Sequence, residues 1–199
     1  MRRASRPRRS CSTNEAAPGR ERNDGHVPRD RHPGMTDRSL VRATGFAALA
    51  GGLLRIANSF AGAWVGERVL GIVYFVEDLL LLAGLLGIYL SQRRMLGIVG
   101  LVGFVLGVIG LFTIRSASLF GAAGYQLGAA ELLIGLSIMG VRQLAAGQRA
   151  APSLFLASLA LGLLSLVPAL ARPCALLAAI TFGLGYTLAG LRLLRESGQ

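Results

Sequence analysis

Residues 69–114 read VLGIVYFVEDLLLLAGLLGIYLSQRRMLGIVGLVGFVLGVIGLFTI, two long apolar runs around a short polar break. The runs lie at about 69–90 and 95–114, and SQRR is nearly all that separates them. An α-helix needs about 20 apolar residues to cross the hydrocarbon core of a bilayer. Because lipid offers no hydrogen-bond partners, a backbone that crosses it must satisfy its own N–H and C=O groups, as a helix does. This stretch therefore predicts two membrane-spanning helices joined by an arginine-bearing turn.

Four further apolar runs of similar length fill most of the chain after Leu40. The six predicted spans lie at about 41–63, 69–90, 95–114, 121–141, 153–171 and 174–191. Composition agrees, since 53% of the residues are hydrophobic and only 16% are charged, whereas soluble domains carry roughly 25% charged residues. The predicted fold is all-α: a polytopic membrane protein whose six-transmembrane-helix bundle occupies residues 39–195.

Residues 1–38 form a different kind of segment, rich in Arg, Pro, Gly and Ser and poor in large apolar side chains. Such a segment cannot bury a core, so it is predicted to be disordered. Three interpretations are open. The arginines bind anionic lipid or nucleic acid, the segment is a targeting peptide, or translation starts at Met35 and the segment is not made. No specific nucleic-acid partner is expected.

Arginines in the short connections predict the orientation of the bundle. Alternate connections and the C-terminal end carry two each, namely Arg38 and Arg42, Arg93 and Arg94, Arg142 and Arg149, and Arg192 and Arg195. The remaining connections carry one each, namely Arg68, Arg115 and Arg172. Since positive residues favour the cytoplasmic side, both termini are predicted to be cytoplasmic. All 21 basic residues are Arg, which hints at a high-GC bacterium, so the expected location is a bacterial plasma (inner) membrane.

Glycines recur at helical spacing on two of the predicted spans. The third span carries Gly100, Gly103, Gly107 and Gly110, and the fourth carries Gly121, Gly124, Gly128, Glu131 and Gly135. Spacings of three and four place each set on one helix face, and small residues let helix backbones approach closely in lipid. These two helices are therefore predicted to pack closely, against each other or against other helices, with Glu131 facing protein.

Few ionisable side chains fall inside the predicted spans. They are Arg55, Glu77, Asp78 and Glu131. A charge in hydrocarbon costs several kcal/mol unless it is paired, neutralised or hydrated, and counting from the predicted outer loops places these groups at similar depths. Asn58 shares a helix face with Arg55, and Tyr74 shares one with Glu77 and Asp78. The sequence therefore predicts one polar intramembrane site, made of Arg55, Asn58, Tyr74, Glu77, Asp78 and Glu131.

One arginine faces three carboxyl groups in this predicted site, and three interpretations remain open. The site carries a proton or binds a cationic ligand, the charges only fix helix register, or they contact another membrane protein. The expected function is that of a non-enzymatic accessory or interacting membrane subunit. The alternatives are a small proton-coupled transporter and a membrane-embedded enzyme acting on a lipid-like substrate.

The sequence contains little that indicates catalysis. Both histidines precede the first span, and the two cysteines, Cys11 and Cys174, are far apart. No phosphate-binding loop of the form GxxxxGK[ST] occurs. No catalytic residue, metal site or cofactor is therefore predicted, and the expected partners are the lipid bilayer and either further copies of the chain or another membrane protein.

Overall fold

The computed structural model describes residues 35–61 and 66–198. Within these ranges every regular element is a helix and none is a strand, which confirms the predicted all-α class for this part of the chain. The elements are α1 (Met35–Ala61), α2 (Glu67–Arg115), α3 (Ala117–Ala145), α4 (Ala150–Leu164), a 3-10 turn (Pro168–Leu170) and α5 (Ala171–Ser197). Of the segment predicted to be disordered, residues 1–34 lie outside the described ranges, and residues 35–38 begin α1.

The long helix α2 is a hairpin that reverses direction at Gly97. Gly97 has φ 60° and ψ −154°, a backbone conformation essentially restricted to glycine. The Tyr89 and Phe104 rings on either side of it stack with their centroids 4.7 Å apart, whereas a continuous helix would separate these residues by about 22 Å. α2 therefore consists of a first arm (67–96) and a second arm (98–115), which overlap the predicted spans 69–90 and 95–114. The turn lies at Gly97, whereas the predicted SQRR turn (91–94) is part of the first arm.

Neighbouring helices run antiparallel, and the last one packs against the first. A Cβ added to Gly45 of α1 would lie 3.1 Å from the Leu193 Cβ of α5, and one added to Gly52 would lie 2.5 Å from the Gly183 carbonyl oxygen. Residue numbers thus rise along α1 as they fall along α5. We call the end at which α1 begins, and at which α2 turns at Gly97, the Met35 end. The other end is the Ala61 end.

The interior is filled by aromatic and aliphatic side chains, whereas much of the exterior is also apolar. Tyr186 is fully buried, with the Phe155 ring edge-on to it at 5.7 Å and the Phe182 ring 4.9 Å away. Large side chains such as Ile98 remain up to 81% exposed. Soluble monomers rarely expose extensive apolar patches of this kind, so the surface suits contact with acyl chains.

Four helical stretches are long and apolar enough to cross a membrane. They are Arg38–Phe60, Arg68–Arg115, Ala123–Ala145 and Pro168–Ser197. α4 is apolar but has only 15 residues. It ends at Leu164, well before the predicted end of the fifth span at 171, because Pro168 has no N–H to donate to the Leu164 carbonyl. The same proline then opens the 3-10 turn, and α5 begins at Ala171, slightly before the predicted sixth span.

Candidate functional site

Arg55 of α1 and Glu77 on the first arm of α2 form an ion pair. The distance from Arg55 Nη1 to Glu77 Oε1 is 3.3 Å. Asn58, one helical turn after Arg55, donates a hydrogen bond from Nδ2 to Glu77 Oε2. Glu77 is only 1% exposed, yet each of its carboxylate oxygens has a donor on α1. Such pairing satisfies the requirement that a buried carboxylate be compensated.

α3 joins this group through Tyr125, a residue that the sequence analysis missed. Arg55 Nη2 donates to the Tyr125 hydroxyl at 3.2 Å, so one guanidinium links a carboxylate on α2 to a phenol on α3. The sequence signal for Tyr125 was weak, since it lies in a run of small residues and off the helix face of Glu131. We call Arg55, Asn58, Glu77 and Tyr125 the Arg55 cluster.

Small residues on α1 and α2 bring the two helices together beside the cluster. A Cβ added to Gly51 would lie 3.1 Å from the Leu80 Cβ, and one added to Gly84 would lie 2.7 Å from the Ala48 Cα. The Ser59 hydroxyl donates to the Arg55 carbonyl at 2.9 Å, which keeps that polar side chain satisfied within its own helix. The close approach of α1 and α2 at these small residues places the Arg55 and Asn58 donors within hydrogen-bond distance of Glu77.

Asp78 and Tyr74 lie outside the hydrogen-bonded cluster, although both were predicted to belong to the site. Asp78 points about 100° away from Glu77 around the helix and makes no hydrogen bond within the described ranges. The charged groups that act on it are Glu77, Arg115 and Arg55. Tyr74 is 38% exposed, and its hydroxyl likewise has no hydrogen-bond partner among the described residues.

Glu131 interacts with the second arm of α2 and has no hydrogen bond to the Arg55 cluster. The Thr113 hydroxyl lies 2.9 Å from Glu131 Oε2 and 3.0 Å from the Ile109 carbonyl oxygen, so its single proton serves one acceptor at a time. The six residues predicted as one site thus separate into the Arg55 cluster, the Thr113–Glu131 pair, Asp78 and an exposed Tyr74.

Glycines of the second arm and of α3 meet backbone to backbone. A Cβ added to Gly103 would lie 2.6 Å from the Gly135 carbonyl oxygen, and one added to Gly110 would lie 2.6 Å from that of Gly128. The remaining residues of the predicted set differ in what they face. Gly107 faces Leu85 and Leu132, Gly124 is buried, and Gly100 faces Leu96 of its own hairpin. Gly121 does not share the predicted face, because its φ of 68° and ψ of −158° interrupt the helix and no atom lies within 4 Å of a Cβ added there.

A second set of glycines joins α1 to α5, and the sequence analysis did not select it. A Cβ added to Gly190 would lie 2.7 Å from the Gly45 carbonyl oxygen, much as Gly52 meets Gly183. The members on each helix are seven residues apart, which also returns a side chain to the same face. This spacing is the signal that could have identified them.

No protein-family model, no curated protein and no solved structure matches this chain. Its own residues therefore have to indicate what it does. Within the described ranges, no group of three or more His, Cys, Asp or Glu side chains is placed to hold a metal ion. Two open cavities of the described bundle lie at the Met35 end and are lined by none of the Arg55 cluster.

Proposed function

We propose that this chain is a six-span, non-enzymatic membrane protein that acts as an accessory or interacting subunit, with the Arg55 cluster locking three helices together. The observation that carries this proposal is the engagement of Glu77, which is 1% exposed and receives donors from α1 at both oxygens. A carboxylate whose two oxygens both accept hydrogen bonds from the neighbouring helix holds the two helices together. Neither oxygen is left free to bind a substrate.

The energetic cost of breaking the ion pair also favours a structural role for the Arg55 cluster. Glu77 is buried, whereas the Arg55 side chain is 27% exposed. Removing one partner costs about 3–5 kcal/mol in a fully buried ion pair, because the other charge is left uncompensated, and the loss of Arg55 beside the buried carboxylate comes nearest to that case. The Arg55 cluster joins α1, α2 and α3, so the loss of either charge would loosen three elements at once.

Length and composition alone identify four candidate spans. The hairpin in α2 supports a total of six. Its two arms run antiparallel, so the single long stretch Arg68–Arg115 would cross the bilayer twice. α4 would be the remaining span. It is about 22 Å long by helix rise, and the apolar residues 166–170 continue beyond its end.

The arginine distribution supports a cytoplasmic Met35 end. Arg38, Arg42, Arg93, Arg94, Arg142, Arg149, Arg192 and Arg195 belong to that end, whereas Arg68, Arg115 and Arg172 belong to the Ala61 end. The positive-inside rule then places both described termini on the cytoplasmic side of a bacterial plasma membrane.

Asp78 offers a contact for a second membrane protein or a second copy of the chain. It is half-buried on α2 and lacks a hydrogen-bond partner among the described residues. The exposed Arg115 stacks on Phe75 of the same hairpin, 4.8 Å from the ring centroid. Charged groups on an otherwise apolar surface are costly in lipid, and a polar residue on a neighbouring transmembrane helix would compensate them.

Cross-linking in native membranes tests this proposal. The tagged full chain should be recovered with a stoichiometric membrane partner or as a defined homo-oligomer, and Asp78→Asn should reduce that recovery. Glu196→Gln is the matched control, because Glu196 is exposed and pairs only with Arg192 in the described part of the chain. A protein recovered as a monomer, with both variants behaving alike, would contradict the subunit proposal.

Proton-coupled transport is the second candidate, and the Thr113–Glu131 pair is the observation that favours it. Glu131 has a hydroxyl partner and no cation within hydrogen-bond distance among the described residues. A carboxyl group in such a setting can exchange a proton. Flux of protons into proteoliposomes that is abolished by Glu131→Gln, in a protein that remains folded, would establish this function in place of the first.

A further inference from the structure

Two adjoining cavities lie at the Met35 end, remote from the Arg55 cluster. Their volumes are about 310 Å³ and about 530 Å³, and both are lined by Gln92, Gln148 and Arg192. They form where the first arm of α2 ends, where α3 gives way to α4, and near the end of α5. A site built from four helical segments at one end of the bundle is therefore available to a ligand.

The lining of these cavities is strongly positive. It contains five arginines, namely Arg93, Arg94, Arg149, Arg192 and Arg195, and a single acid, Glu196. Glu196 is already engaged, since Arg192 Nε lies 2.6 Å from its Oε1. The other four arginines have no carboxylate partner within the described residues, so four positive charges surround the cavities without compensation.

The buried residue Gln143 lines the smaller cavity with an amide that has no hydrogen-bond partner among the described residues. Gln143 is 3% exposed, lines that cavity, and its side chain makes no hydrogen bond within the described ranges. The two N–H donors of the Gln143 amide would be satisfied by a ligand that brings acceptor oxygens.

The beginning of α4 contributes further donors. Ala150 and Ala151, which carry free backbone N–H groups, line the smaller cavity together with Pro152, which has none. Arg149 at the N-cap position provides no side-chain hydrogen bond to the helix. The first N–H groups of a helix have no intrahelical partner, and the helix dipole makes this end attractive to anions. The helix terminus and the Gln143 amide thus favour the same kind of ligand.

We propose that the two cavities form a binding site for a phosphate group, carried either by an anionic lipid or by a soluble phosphate ester. Guanidinium groups bind phosphate oxygens in a bidentate manner, and basic pockets between helices on the cytoplasmic side of membrane proteins hold lipid headgroups. Leu188 and Leu191 line the smaller cavity and would contact the carbon portion of the ligand. The inference is independent of the role proposed for the Arg55 cluster.

Binding to the full-length protein in neutral phosphatidylcholine nanodiscs tests the site. The probes are short-chain phosphatidylglycerol, glycerol phosphate and inorganic phosphate, each followed by native mass spectrometry and by the shift in thermal unfolding. Arg149→Gln and Gln143→Leu should each raise the Kd of the bound probe about tenfold. Arg42→Gln should leave it unchanged, because Arg42 is exposed at the same end, lies over the Phe46 ring and lines neither cavity.

The outcomes distinguish a lipid headgroup from a soluble phosphate, and both from the absence of a phosphate site. Binding of phosphatidylglycerol alone identifies a lipid headgroup, and binding of glycerol phosphate or inorganic phosphate identifies a soluble ligand. The site is refuted if the wild-type protein binds none of the probes, or if Arg42→Gln weakens binding as much as Arg149→Gln does. Should Gln143→Leu fail to fold, the exposed Arg149 still provides the decisive comparison.

Discussion

Gly110 and Gly128 lie backbone against backbone, so that a Cβ added to Gly128 would fall 2.7 Å from the Gly110 carbonyl oxygen. Within a bilayer, helices gain little from burying apolar surface, and packing of this kind replaces it as a source of association. The contact joins the second arm of α2 to α3, which also carry Thr113 and Glu131. Changes at these glycines should therefore affect stability directly.

Gly128→Ala should destabilise the protein by about 1–3 kcal/mol, because the added methyl group would force the two backbones apart. Thermal unfolding in detergent micelles measures the change. Gly71→Ala is the matched control, since no atom lies within 4 Å of a Cβ added there and alanine favours a helix over glycine. Equal Tm values for the two variants would show that α3 is not held by this contact.

Glu77→Ala should lower the free energy of unfolding by about 3–5 kcal/mol, because Arg55 would keep its charge without its partner. Arg55→Leu should lower the free energy of unfolding similarly, because the Glu77 carboxylate would be left without its cation. The double variant Arg55→Leu with Glu77→Leu should recover much of the loss, since no uncompensated charge remains. Unfolding by denaturant of all three variants measures the coupling, and additive losses would exclude an interaction between the two side chains.

Tyr125→Phe should cost about 0.5–1.5 kcal/mol, because it removes the hydroxyl that accepts a hydrogen bond from Arg55. Tyr74→Phe is the matched control. The same atom is deleted from an exposed ring that makes no hydrogen bond within the described ranges, so the change should stay within about 0.5 kcal/mol. A larger loss at Tyr74 than at Tyr125 would reverse the assignment of the cluster.

Single cysteines should report the proposed orientation in intact cells. With Cys11 and Cys174 replaced by Ala, Arg172→Cys at the Ala61 end should react with an impermeant maleimide. Gln148→Cys at the Met35 end should react only after the membrane is permeabilised. Labelling of both positions from the same side would contradict the antiparallel six-span arrangement.

That Arg55 meets an acid of α2 was predictable from sequence, whereas the choice of Glu77 over Asp78 and the contact with a third helix were not. Arg55 and Glu77 are two of very few charges in apolar runs, and lipid forces such charges to meet. Spacing shows which residues share a helix face, but it does not show how that face is rotated toward its neighbours. Tyr74 and Tyr125 have the same chemistry, and only packing decides that Tyr125 reaches Arg55.

Similar predicted depth in the bilayer also did not show which charged side chains are in contact. Glu131 was grouped with Arg55 by residue count from the outer loops, yet the structure pairs it with Thr113 on a different arm. Glycine spacing of three and four residues was easy to recognise on the second arm and α3. The α1–α5 contacts use glycines seven residues apart, and the end of α4 depends on one backbone donor that Pro168 lacks.

The shortness of α4 has a consequence for the lipid around it. Its 15 residues reach about 22 Å, against a hydrocarbon thickness of about 30 Å. Leu166, just beyond its end, is 70% exposed. In the proposed six-span arrangement, acyl chains beside this face would shorten by disordering, an elastic strain that grows with every ångström of mismatch. The molecule should consequently collect in thin regions of membrane and draw other short-spanned proteins toward the same flank.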